Sequence, residues 1–337
     1  MYRAAVIGLG NIGLLFDIPR KVMPQSHSLA YHLHKDIEFV AAAGVRLEQG
    51  DALVSIAPEA KFYTDLNTML KEHELDLISI CTPSEIRLEL LRNVFQQSPV
   101  KLIFLEKPVA TSLAEGEAIV ALAQQYNRTV VVNLSRRWSE AAGLMRQAVQ
   151  SGHYGKVNRI HLRYTRGIYN YGSHLFDLVR FIAGTIDTVQ VLRRVPTRLD
   201  NREDWTYSFI FTAENGTIPG YAEAFDDRDY LIFEMDLFLE KGKIEMRQSG
   251  DEIRFYTTDT HPMLGGTNQL VLELTEQDLN SRSSMIMNAA EHLVEILRSG
   301  AKPICSLEDG MYPMYVAEAI NRSYRNNRSN EKVVITP

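Results

Sequence analysis

Hydrophobic residues in the first 135 positions form short continuous runs separated by amphipathic stretches. A run that is apolar throughout is typical of a strand buried on both faces, whereas apolar residues every three to four positions indicate a helix. Their alternation predicts a doubly wound α/β unit with a parallel sheet. The predicted strands are Tyr2–Ile7, Ile37–Ala43, Leu75–Cys81, Val100–Leu105 and Thr129–Leu134, and the clearest helices are Ser84–Phe95 and Ser112–Tyr126.

Beyond Arg136 the continuous runs give way to alternation of apolar and polar positions. After one more predicted helix at Ser139–Gln150, this alternation predicts antiparallel strands with one buried face. The alternating residues are Trp205, Tyr207, Phe209 and Phe211, followed by Leu231, Phe233, Met235, Leu237 and Leu239. The opposite face of the second set mixes charged and apolar side chains, which is compatible with a subunit interface.

The change of pattern predicts two domains, a doubly wound unit over 1–135 and an α/β unit with a large, open, mostly antiparallel sheet over 136–337. Helices at Ser284–Arg298 and Leu307–Tyr324 and a strand at Val333–Ile335 are predicted to close the chain. Packing of the C-terminal helix back on the first domain is left open. The polar, glycine-containing stretch Tyr256–Thr267 predicts a mobile loop.

The first predicted strand leads into a glycine-rich turn, Gly8-Leu9-Gly10-Asn11-Ile12-Gly13. Between a buried strand and a helical pattern, this G-x-G-x-x-G spacing is typical of dinucleotide binding, although a purely structural β–α turn has the same spacing. Gly8 would permit the tight turn, Gly10 would admit a pyrophosphate, and Gly13 would let helix and strand pack closely. The phosphates would lie at the helix N-terminus. We predict that all six residues bind the cofactor.

The second strand lacks the acidic residue that usually pairs with the adenosine ribose of NAD. Val45 stands at that position, and Arg46 follows it. A guanidinium there would hold a 2′-phosphate and stack on adenine, which slightly favours NADP over NAD. An arginine that is merely solvated explains the residue almost equally well.

Two further segments follow predicted strands at their carboxyl ends, where open α/β sheets bind ligands. Cys81-Thr82-Pro83-Ser84 is predicted to line the cofactor crevice, although a proline-assisted helix start explains the same residues. Glu106-Lys107-Pro108 places two opposite charges after a buried strand, and Pro108 restricts the backbone of Lys107. Near an oxidised nicotinamide the pKa of a lysine falls toward neutrality, so that Lys107 would exchange a proton with a substrate hydroxyl.

The segment from Tyr169 to Asp177 combines polar residues with the start of an amphipathic helix. Ser173 is a candidate N-cap, and His174 and Asp177 share one helix face. A histidine at a helix N-terminus stays neutral, which suits proton exchange. Tyr169 and Asn170 are predicted to shape the substrate pocket. A surface histidine with Asp177 complementing the helix dipole is the structural alternative.

Other polar residues carry weaker signals. Asn133, on the last strand of the first domain, is a candidate cofactor contact, and Arg137, just after it, a candidate substrate contact. Three histidines near the glycine turn, His27, His32 and His34, lack the cysteine or carboxylate spacing of a metal site. We therefore predict no metal, and a satisfied or solvated role for these histidines.

In combination these motifs resemble the glucose–fructose oxidoreductase, inositol dehydrogenase and rhizopine-catabolism (Gfo/Idh/MocA) family of NAD(P)-dependent oxidoreductases. The segments at 306–310 and 317–323 also fit, so the resemblance covers nearly the whole chain. It implies a Rossmann domain followed by an α/β domain with an open sheet that often mediates oligomerisation. It also implies that Lys107 is the catalytic lysine and His174 the catalytic or substrate-binding histidine. Members commonly carry Asp where this chain has Asn170, which puts a proton relay through that position in doubt.

Composition narrows the classes of partner. A net charge of −6 argues against nucleic acid, and the absence of an uncharged apolar run of membrane-spanning length argues against a membrane. Two cysteines, Cys81 and Cys305, are compatible with free thiols in a reducing compartment. With no targeting segment visible, we expect a cytoplasmic homodimer or homotetramer.

Together these features predict an NAD(P)-dependent oxidoreductase that moves a hydride between nicotinamide and a secondary alcohol or ketone of a sugar, polyol or nucleotide sugar. Two alternatives belong to other classes of protein. One is a dinucleotide-binding regulator without turnover. The other is a glycoside hydrolase that uses NAD transiently.

Overall fold

The computed structural model describes residues 1–198 and 204–336. Its packing divides the chain into two compact units, Met1–Trp138 with Ser283–Met311, and Ser139–Arg282 with Tyr312–Pro337. The first boundary between the units therefore follows Trp138, three residues beyond the predicted boundary at residue 135. The segment 283–311 packs with the N-terminal residues.

Strands and helices are numbered along the chain. The strands are β1 (Tyr2–Ile7), β2 (Ile37–Ala43), β3 (Lys61–Tyr63), β4 (Leu77–Ile80), β5 (Leu102–Glu106), β6 (Thr129–Asn133), β7 (Val157–Tyr164), β8 (Ile186–Pro196), β9 (Trp205–Ala213), β10 (Ile218–Ala224), β11 (Phe233–Leu239), β12 (Gly242–Arg247), β13 (Glu252–Thr260), β14 (Asn268–Glu276) and β15 (Glu331–Lys332). The α-helices are α1 (His27–Leu33), α2 (Glu48–Ile56), α3 (Leu66–Glu72), α4 (Arg87–Gln97), α5 (Leu113–Gln125), α6 (Glu140–Ser151), α7 (Ser173–Ile182), α8 (Leu279–Arg282), α9 (Met285–Ser299) and α10 (Leu307–Arg325).

The sheet of the first unit has the order β3-β2-β1-β4-β5-β6, and every neighbouring pair is parallel. This is the doubly wound order of dinucleotide-binding folds, with the topological switch between β1 and β4. The prediction of a parallel α/β unit is confirmed. Strand β3 was not predicted because its three residues are too few to show a pattern.

Serine caps explain why three helices begin where the sequence predicts. The side chains of Ser112, Ser139 and Ser284 each accept a hydrogen bond from the backbone N–H three residues later. Such caps satisfy one of the donors left unpaired at a helix start. The same three helices, α5, α6 and α9, were predicted within one or two residues of their observed bounds.

The sheet of the second unit has the order β14-β13-β12-β11-β7-β10-β9-β8-β15. Strands β7 and β10 run parallel, and the other described pairs are antiparallel. One face forms a hydrophobic core with α6, α7 and the later turns of α10. The prediction of an open, mostly antiparallel sheet is confirmed, and the alternating residues Tyr207, Phe209 and Phe211 are buried as expected.

The opposite face of the central strands carries a chain of ion pairs. Arg163 on β7 binds Glu234 at 2.9 Å and Asp236 at 2.7 Å on β11. Lys243 on β12 lies 3.4 Å from Asp236 and 2.5 Å from Glu245. Because these charges pair within one chain, the face presents neutralised polar groups. Its use as a subunit interface stays a prediction.

Two predicted elements of the second unit have different bounds in the structure. The strand expected at Val333–Ile335 lies two residues earlier, where Glu331 and Lys332 pair with β8. The loop expected at Tyr256–Thr267 begins later than predicted, because β13 extends to Thr260 and pairs with β14, and only 261–267 connect the two strands. Threonine and tyrosine favour strands despite their polarity, so the polar composition concealed a hairpin.

The hydroxyl of Tyr164, at the end of β7, joins two strands of the second sheet. It donates a hydrogen bond to the Tyr207 carbonyl at 2.8 Å and accepts one from the Tyr207 N–H at 3.2 Å. We predict that Tyr164→Phe lowers the free energy of unfolding by about 1–3 kcal/mol, because a buried pair of hydrogen bonds is lost. Urea denaturation followed by circular dichroism measures this, with Tyr230→Phe at an exposed tyrosine as the control. Equal stability of both variants would contradict the role.

Candidate active site

Close backbone contacts explain two of the three glycines in the turn after β1. Gly8 has φ +97°, and a Cβ atom there would lie 2.8 Å from the backbone of Cys81 and Thr82. A Cβ atom on Gly13 would lie 2.0 Å from the carbonyl oxygen of Gly8. A side chain at either position would therefore force backbone atoms apart. The turn from β1 thus packs directly on the carboxyl end of β4.

Gly10 differs because a Cβ atom there would meet no atom within 4 Å. The backbone N–H groups from Leu9 to Gly13 donate no hydrogen bond within the described chain, whereas the Gly8 N–H binds the Ala43 carbonyl at 2.9 Å. Consecutive unpaired N–H groups beside an open space form an anion-binding concavity. The turn therefore fits a pyrophosphate.

The prediction of a helix directly after the glycines is wrong. Leu15–Asp17 forms a single 3₁₀ turn, and α1 begins only at His27. Pro19 and Pro24 lie in between and lack the N–H groups that a continuous helix needs. The chain nevertheless returns to the turn, since the His27 N–H donates to the Ile12 carbonyl at 3.0 Å.

The buried carboxylate of Asp17 stabilises the segment that brings the chain back to the glycine turn. It accepts hydrogen bonds from the backbone N–H of Ser26 at 2.7 Å, from the Ser26 hydroxyl at 2.6 Å and from the Gln25 N–H at 3.0 Å. Ser26 in turn accepts from the Leu29 N–H and caps α1. Asp17 therefore fixes the start of α1 against the glycine turn.

At the carboxyl end of β2, Arg46 is exposed, as a residue that contacts the adenosine end of a dinucleotide would be. Its backbone N–H donates to the Gln49 side chain at 3.1 Å. The side-chain amide nitrogen of Gln49 in turn donates to the Leu9 carbonyl at 2.8 Å. Gln49, which the sequence analysis missed, thus ties the Arg46 segment to the glycine turn.

Thr82 follows β4 and is buried beside Gly8. Its hydroxyl oxygen is buried and has no hydrogen-bond partner among the described residues. A buried polar atom without a partner is costly and indicates a missing ligand or water. Together with the glycine turn, this hydroxyl fits the predicted dinucleotide.

Arg87, at the start of α4, braces the loop that contains Lys107. Its guanidinium donates to the carbonyls of Glu106 and Pro108, the residues on either side of Lys107. It also donates twice to the Thr82 carbonyl, at 2.7 Å and 3.1 Å. The segments after β4 and β5 are therefore held by one buried cation, and Lys107 is itself only partly buried.

A chain of buried polar side chains lies behind the same loop. Glu106 Oε1 accepts hydrogen bonds from His27 Nε2 at 2.9 Å and from Asn133 Nδ2 at 2.6 Å. His27 Nδ1 lies 2.8 Å from the Ser79 hydroxyl, which lies 2.5 Å from the Tyr31 hydroxyl. The chain connects α1, β4, β5 and β6 at one edge of the sheet.

This arrangement assigns Glu106 and Asn133 to contacts with neighbouring residues. The amide oxygen of Asn133 accepts from Trp138 Nε1 at 3.2 Å, so both ends of its amide are engaged. Burial alone would raise the pKa of Glu106, but the hydrogen bonds from His27 and Asn133 and the charge of Arg87 hold that pKa below its usual range. Burial and the nearby Glu106 charge raise the pKa of the Cys81 thiol, so Cys81 is not an activated nucleophile.

Arg137 is buried in a 3₁₀ turn after β6 and faces the segment 304–309. It donates to the Ile304 carbonyl at 2.5 Å and lies 3.2 Å from the Asp309 carboxylate. These contacts support a bracing role within the first unit. Its predicted contact with substrate stays a prediction.

In the second unit, the segment carrying Tyr169 and Asn170 is a π-helical turn, Gly167–Gly172, that leads directly into α7. The prediction of Ser173 as an N-cap is wrong, because its hydroxyl donates back to the carbonyls of Tyr169 and Asn170. The helical backbone already includes these residues. The positive end of the helix dipole therefore lies near Gly167, several residues before His174.

Asp204 accepts hydrogen bonds from the backbone N–H groups at that end of the helix. Its carboxylate accepts from the backbone N–H groups of Ile168 and Tyr169, each at 3.1 Å. A Cβ atom on Gly167 would lie 1.9 Å from this carboxylate, so glycine is required for the contact. Asp204 thereby fixes the turn that presents Tyr169.

The predicted substrate residues of the second unit differ in exposure. His174 and Asp177 are buried in the first turns of α7, Asn170 is half-buried, and Tyr169 is 44% exposed. The Tyr169 hydroxyl accepts a hydrogen bond from Asn321 on α10 at 2.8 Å. Tyr169 is thus held in place while part of its ring stays accessible.

Sequence reasoning missed Gln49, Ser79, Arg87 and Asp204 as supporting residues. Only Ser79 had a clear signal, since a serine inside the apolar run of β4 needs a buried partner. The other three are recognisable only from the backbone groups that surround them.

Within the described residues, no cluster of histidine, cysteine or carboxylate side chains is arranged to hold a metal ion. Likewise, none of the helices there combines the length and the apolar character needed to cross a bilayer.

Residues 2–134 match the model of the Gfo/Idh/MocA group, described as an oxidoreductase family with an NAD-binding Rossmann fold. The chain is 24% identical over 350 residues to myo-inositol 2-dehydrogenase of Thermotoga maritima, covering 97% of both proteins. It is 23% identical over 249 residues to 1-carboxy-3-chloro-3,4-dihydroxycyclo hexa-1,5-diene dehydrogenase of Comamonas testosteroni, covering 65% of this chain and 58% of that protein. The second match therefore spans less than two thirds of that relative.

Solved structures share the fold. WlbA dehydrogenase from Bordetella pertussis, in complex with NADH and UDP-GlcNAcA, has a TM-score of 0.77 at 17% identity over 99% of both chains. The super-repressor mutant of Gal80p from Saccharomyces cerevisiae has a TM-score of 0.77 at 15% identity, over 98% of this chain and 97% of that one. At these identities the likeness shows the fold alone.

The contrast between Gly10 and Gly13 gives a matched pair of variants. We predict that Gly13→Ala lowers the free energy of unfolding by more than about 2 kcal/mol, because its methyl group meets the Gly8 carbonyl. Gly10→Ala should change stability by less than about 0.5 kcal/mol but weaken dinucleotide affinity at least about tenfold, because its methyl group enters the open space. Thermal denaturation and calorimetric titration with NAD⁺ and NADP⁺ measure both effects. Unchanged affinity in Gly10→Ala would contradict the assignment of the turn.

Proposed function

We propose that this chain, whose residues 2–134 match the Gfo/Idh/MocA family of oxidoreductases with an NAD-binding Rossmann fold, is a member of that family and transfers a hydride between a nicotinamide dinucleotide and a secondary alcohol or ketone. The proposed substrate is a sugar, a polyol or a nucleotide sugar. One observation carries the proposal. The unpaired N–H groups of the glycine turn, the buried hydroxyl of Thr82 and the braced loop of Lys107 adjoin at the carboxyl edge of one parallel sheet.

In this mechanism Lys107 is the general base or acid for the substrate hydroxyl. A nicotinamide dinucleotide held by the glycine turn and Thr82 would supply the acceptor or donor of the hydride. In the oxidation direction the neutral amine of Lys107 accepts the hydroxyl proton as the carbonyl forms, and in reduction its ammonium returns that proton. General acid–base assistance of this kind contributes about 10²–10⁴-fold to rate. Arg87 acts on the step indirectly, by fixing the backbone on both sides of Lys107.

We propose that the second unit recognises the substrate through the π-helical turn and the start of α7. Tyr169 offers a partly exposed ring, and Asn170 a half-buried amide suited to a carbohydrate hydroxyl. An amide takes up no proton, so within this turn and helix the residue proposed to exchange a proton is His174, with Asp177 three residues along the same helix. An assembly of two or four copies through the open sheet and a cytoplasmic location remain parts of the proposal.

Lys107→Ala tests the chemistry. We expect turnover to fall by about 10²-fold or more, because the proton acceptor is lost, while affinity for the dinucleotide stays within a few-fold. Stopped-flow absorbance at the reduced-nicotinamide band, across a panel of sugars, polyols and nucleotide sugars, measures turnover. Lys101→Ala removes an exposed lysine before the same strand and serves as the control.

Three outcomes would contradict the proposal. Wild-type turnover in Lys107→Ala would remove the proposed mechanism. Binding of dinucleotide without turnover on any substrate would indicate a regulator. Glycosidic cleavage with no net change in the redox state of the cofactor would indicate a hydrolase.

Arg46→Ala tests the choice of cofactor. We expect its affinity for NADP⁺ to fall by at least about tenfold and its affinity for NAD⁺ to change less than about twofold, because only NADP⁺ offers a 2′-phosphate. Arg92→Ala, at an exposed arginine on α4, is the control. Equal losses for both dinucleotides would show that Arg46 does not discriminate between them.

A further inference from the structure

The carboxylate of Glu106 is built into the carboxyl edge of the parallel sheet as a fixed anion. Glu106 is 8% exposed, and its Oε1 atom receives two donors, His27 and Asn133. The described residues give its Oε2 atom no hydrogen bond. One oxygen is therefore anchored while the carboxylate retains limited access to the crevice.

The hydrogen-bond chain behind Glu106 has one order of donors in which every buried proton meets an acceptor. The Tyr31 hydroxyl is fully buried, and Ser79 is its partner within the described chain. If Tyr31 donates to Ser79, then Ser79 donates to His27 Nδ1, and His27 Nε2–H donates to Glu106. Donation from His27 Nδ1 to Ser79 would instead leave either the Ser79 or the Tyr31 hydroxyl proton without an acceptor among the described residues, which is costly in a buried site. In this order His27 donates only through Nε2–H, and the negative charge of the pair lies on the Glu106 carboxylate.

We infer that Glu106 determines the preference for the oxidation state of the dinucleotide, with His27 as the positioning residue that holds its carboxylate in place. This rests on the proposed function, which requires the nicotinamide to lie within reach of the adjacent Lys107. The oxidised nicotinamide ring carries a positive charge and the reduced ring is neutral. A fixed anion beside the ring therefore stabilises the bound oxidised form selectively.

The groups around the carboxylate are consistent with a permanent anion. His27 faces it from α1, Asn133 from β6 and the charge of Arg87 from α4, and these together keep the pKa of Glu106 low despite burial. The Cys81 thiol after β4 stays protonated because burial raises its pKa. Arg87 offsets part of the field, but replacing Glu106 by a neutral group still changes the local charge by one unit.

Glu106→Gln is the direct test, because glutamine keeps the shape and an acceptor oxygen for His27 and Asn133. Calorimetric titration with NAD⁺ and NADH, or with the phosphorylated pair if it binds more tightly, gives the ratio of the two dissociation constants. We expect this ratio to shift toward the reduced form by about fivefold or more. Glu106→Asp, which keeps the charge, should stay closer to wild type.

Glu291→Gln provides a matched control within the same unit. It also removes a carboxylate that pairs with a histidine, since Glu291 lies 3.0 Å from His34 Nε2. That pair lies just before β2, at the opposite edge of the sheet. Its ratio of dissociation constants should remain within about twofold of wild type.

A second variant covers the case in which Glu106→Gln does not fold. His27→Leu removes one donor and therefore raises the pKa of Glu106. As the pH is lowered, its preference for the oxidised form should then begin to weaken at a higher pH than that of wild type. Preferences with the same pH dependence in both proteins would contradict the role of His27.

The remaining outcomes separate two failures. A wild-type protein that binds neither oxidation state contradicts the proposed function itself. Binding of both states by Glu106→Gln with an unchanged ratio, or an equal loss of both, shows a structural carboxylate and overturns only this inference.

Discussion

One buried carboxylate, which accepts two hydrogen bonds, organises the carboxyl edge of the parallel sheet. Glu106 joins α1 through His27 and β6 through Asn133, and it is the last residue of the strand that leads to Lys107. A buried carboxylate is tolerated only when its charge is compensated by donors, so these elements must assemble together. The position of Lys107 therefore depends on contacts that lie behind it.

The glycine turn is a second constraint at the same edge. Gly8 and Gly13 allow the backbone to approach β4 more closely than any side chain would permit, and Gly10 leaves the space in front open. The chain between the turn and α1 is mostly irregular, but the hydrogen bonds of Asp17 to Ser26 hold the start of α1 against the turn. The proposed dinucleotide site is thus formed by backbone geometry rather than by many side chains.

The sequence predicted the parallel sheet well because buried strands leave continuous apolar runs that few other structures produce. It also located the starts of α5, α6 and α9, where a serine precedes each helix. It failed where local composition and tertiary pairing disagree, as at the end of β13, whose polar residues resemble a loop. It placed Ser173 as a cap because a π-helical turn leaves no recognisable pattern. Arg87 and Asp204 escaped notice because their partners are backbone groups that only the folded chain brings near.

Transfer of labelled hydrogen tests the central claim most directly, that this chain moves a hydride between nicotinamide and a carbohydrate carbon. The purified protein is incubated with reduced dinucleotide carrying deuterium at both hydrogen positions of nicotinamide C4 and with a panel of keto sugars, and the products are analysed by mass spectrometry. The account predicts one deuterium bound to carbon in a newly formed secondary alcohol. Deuterium that stays on a bound dinucleotide throughout the panel would contradict it.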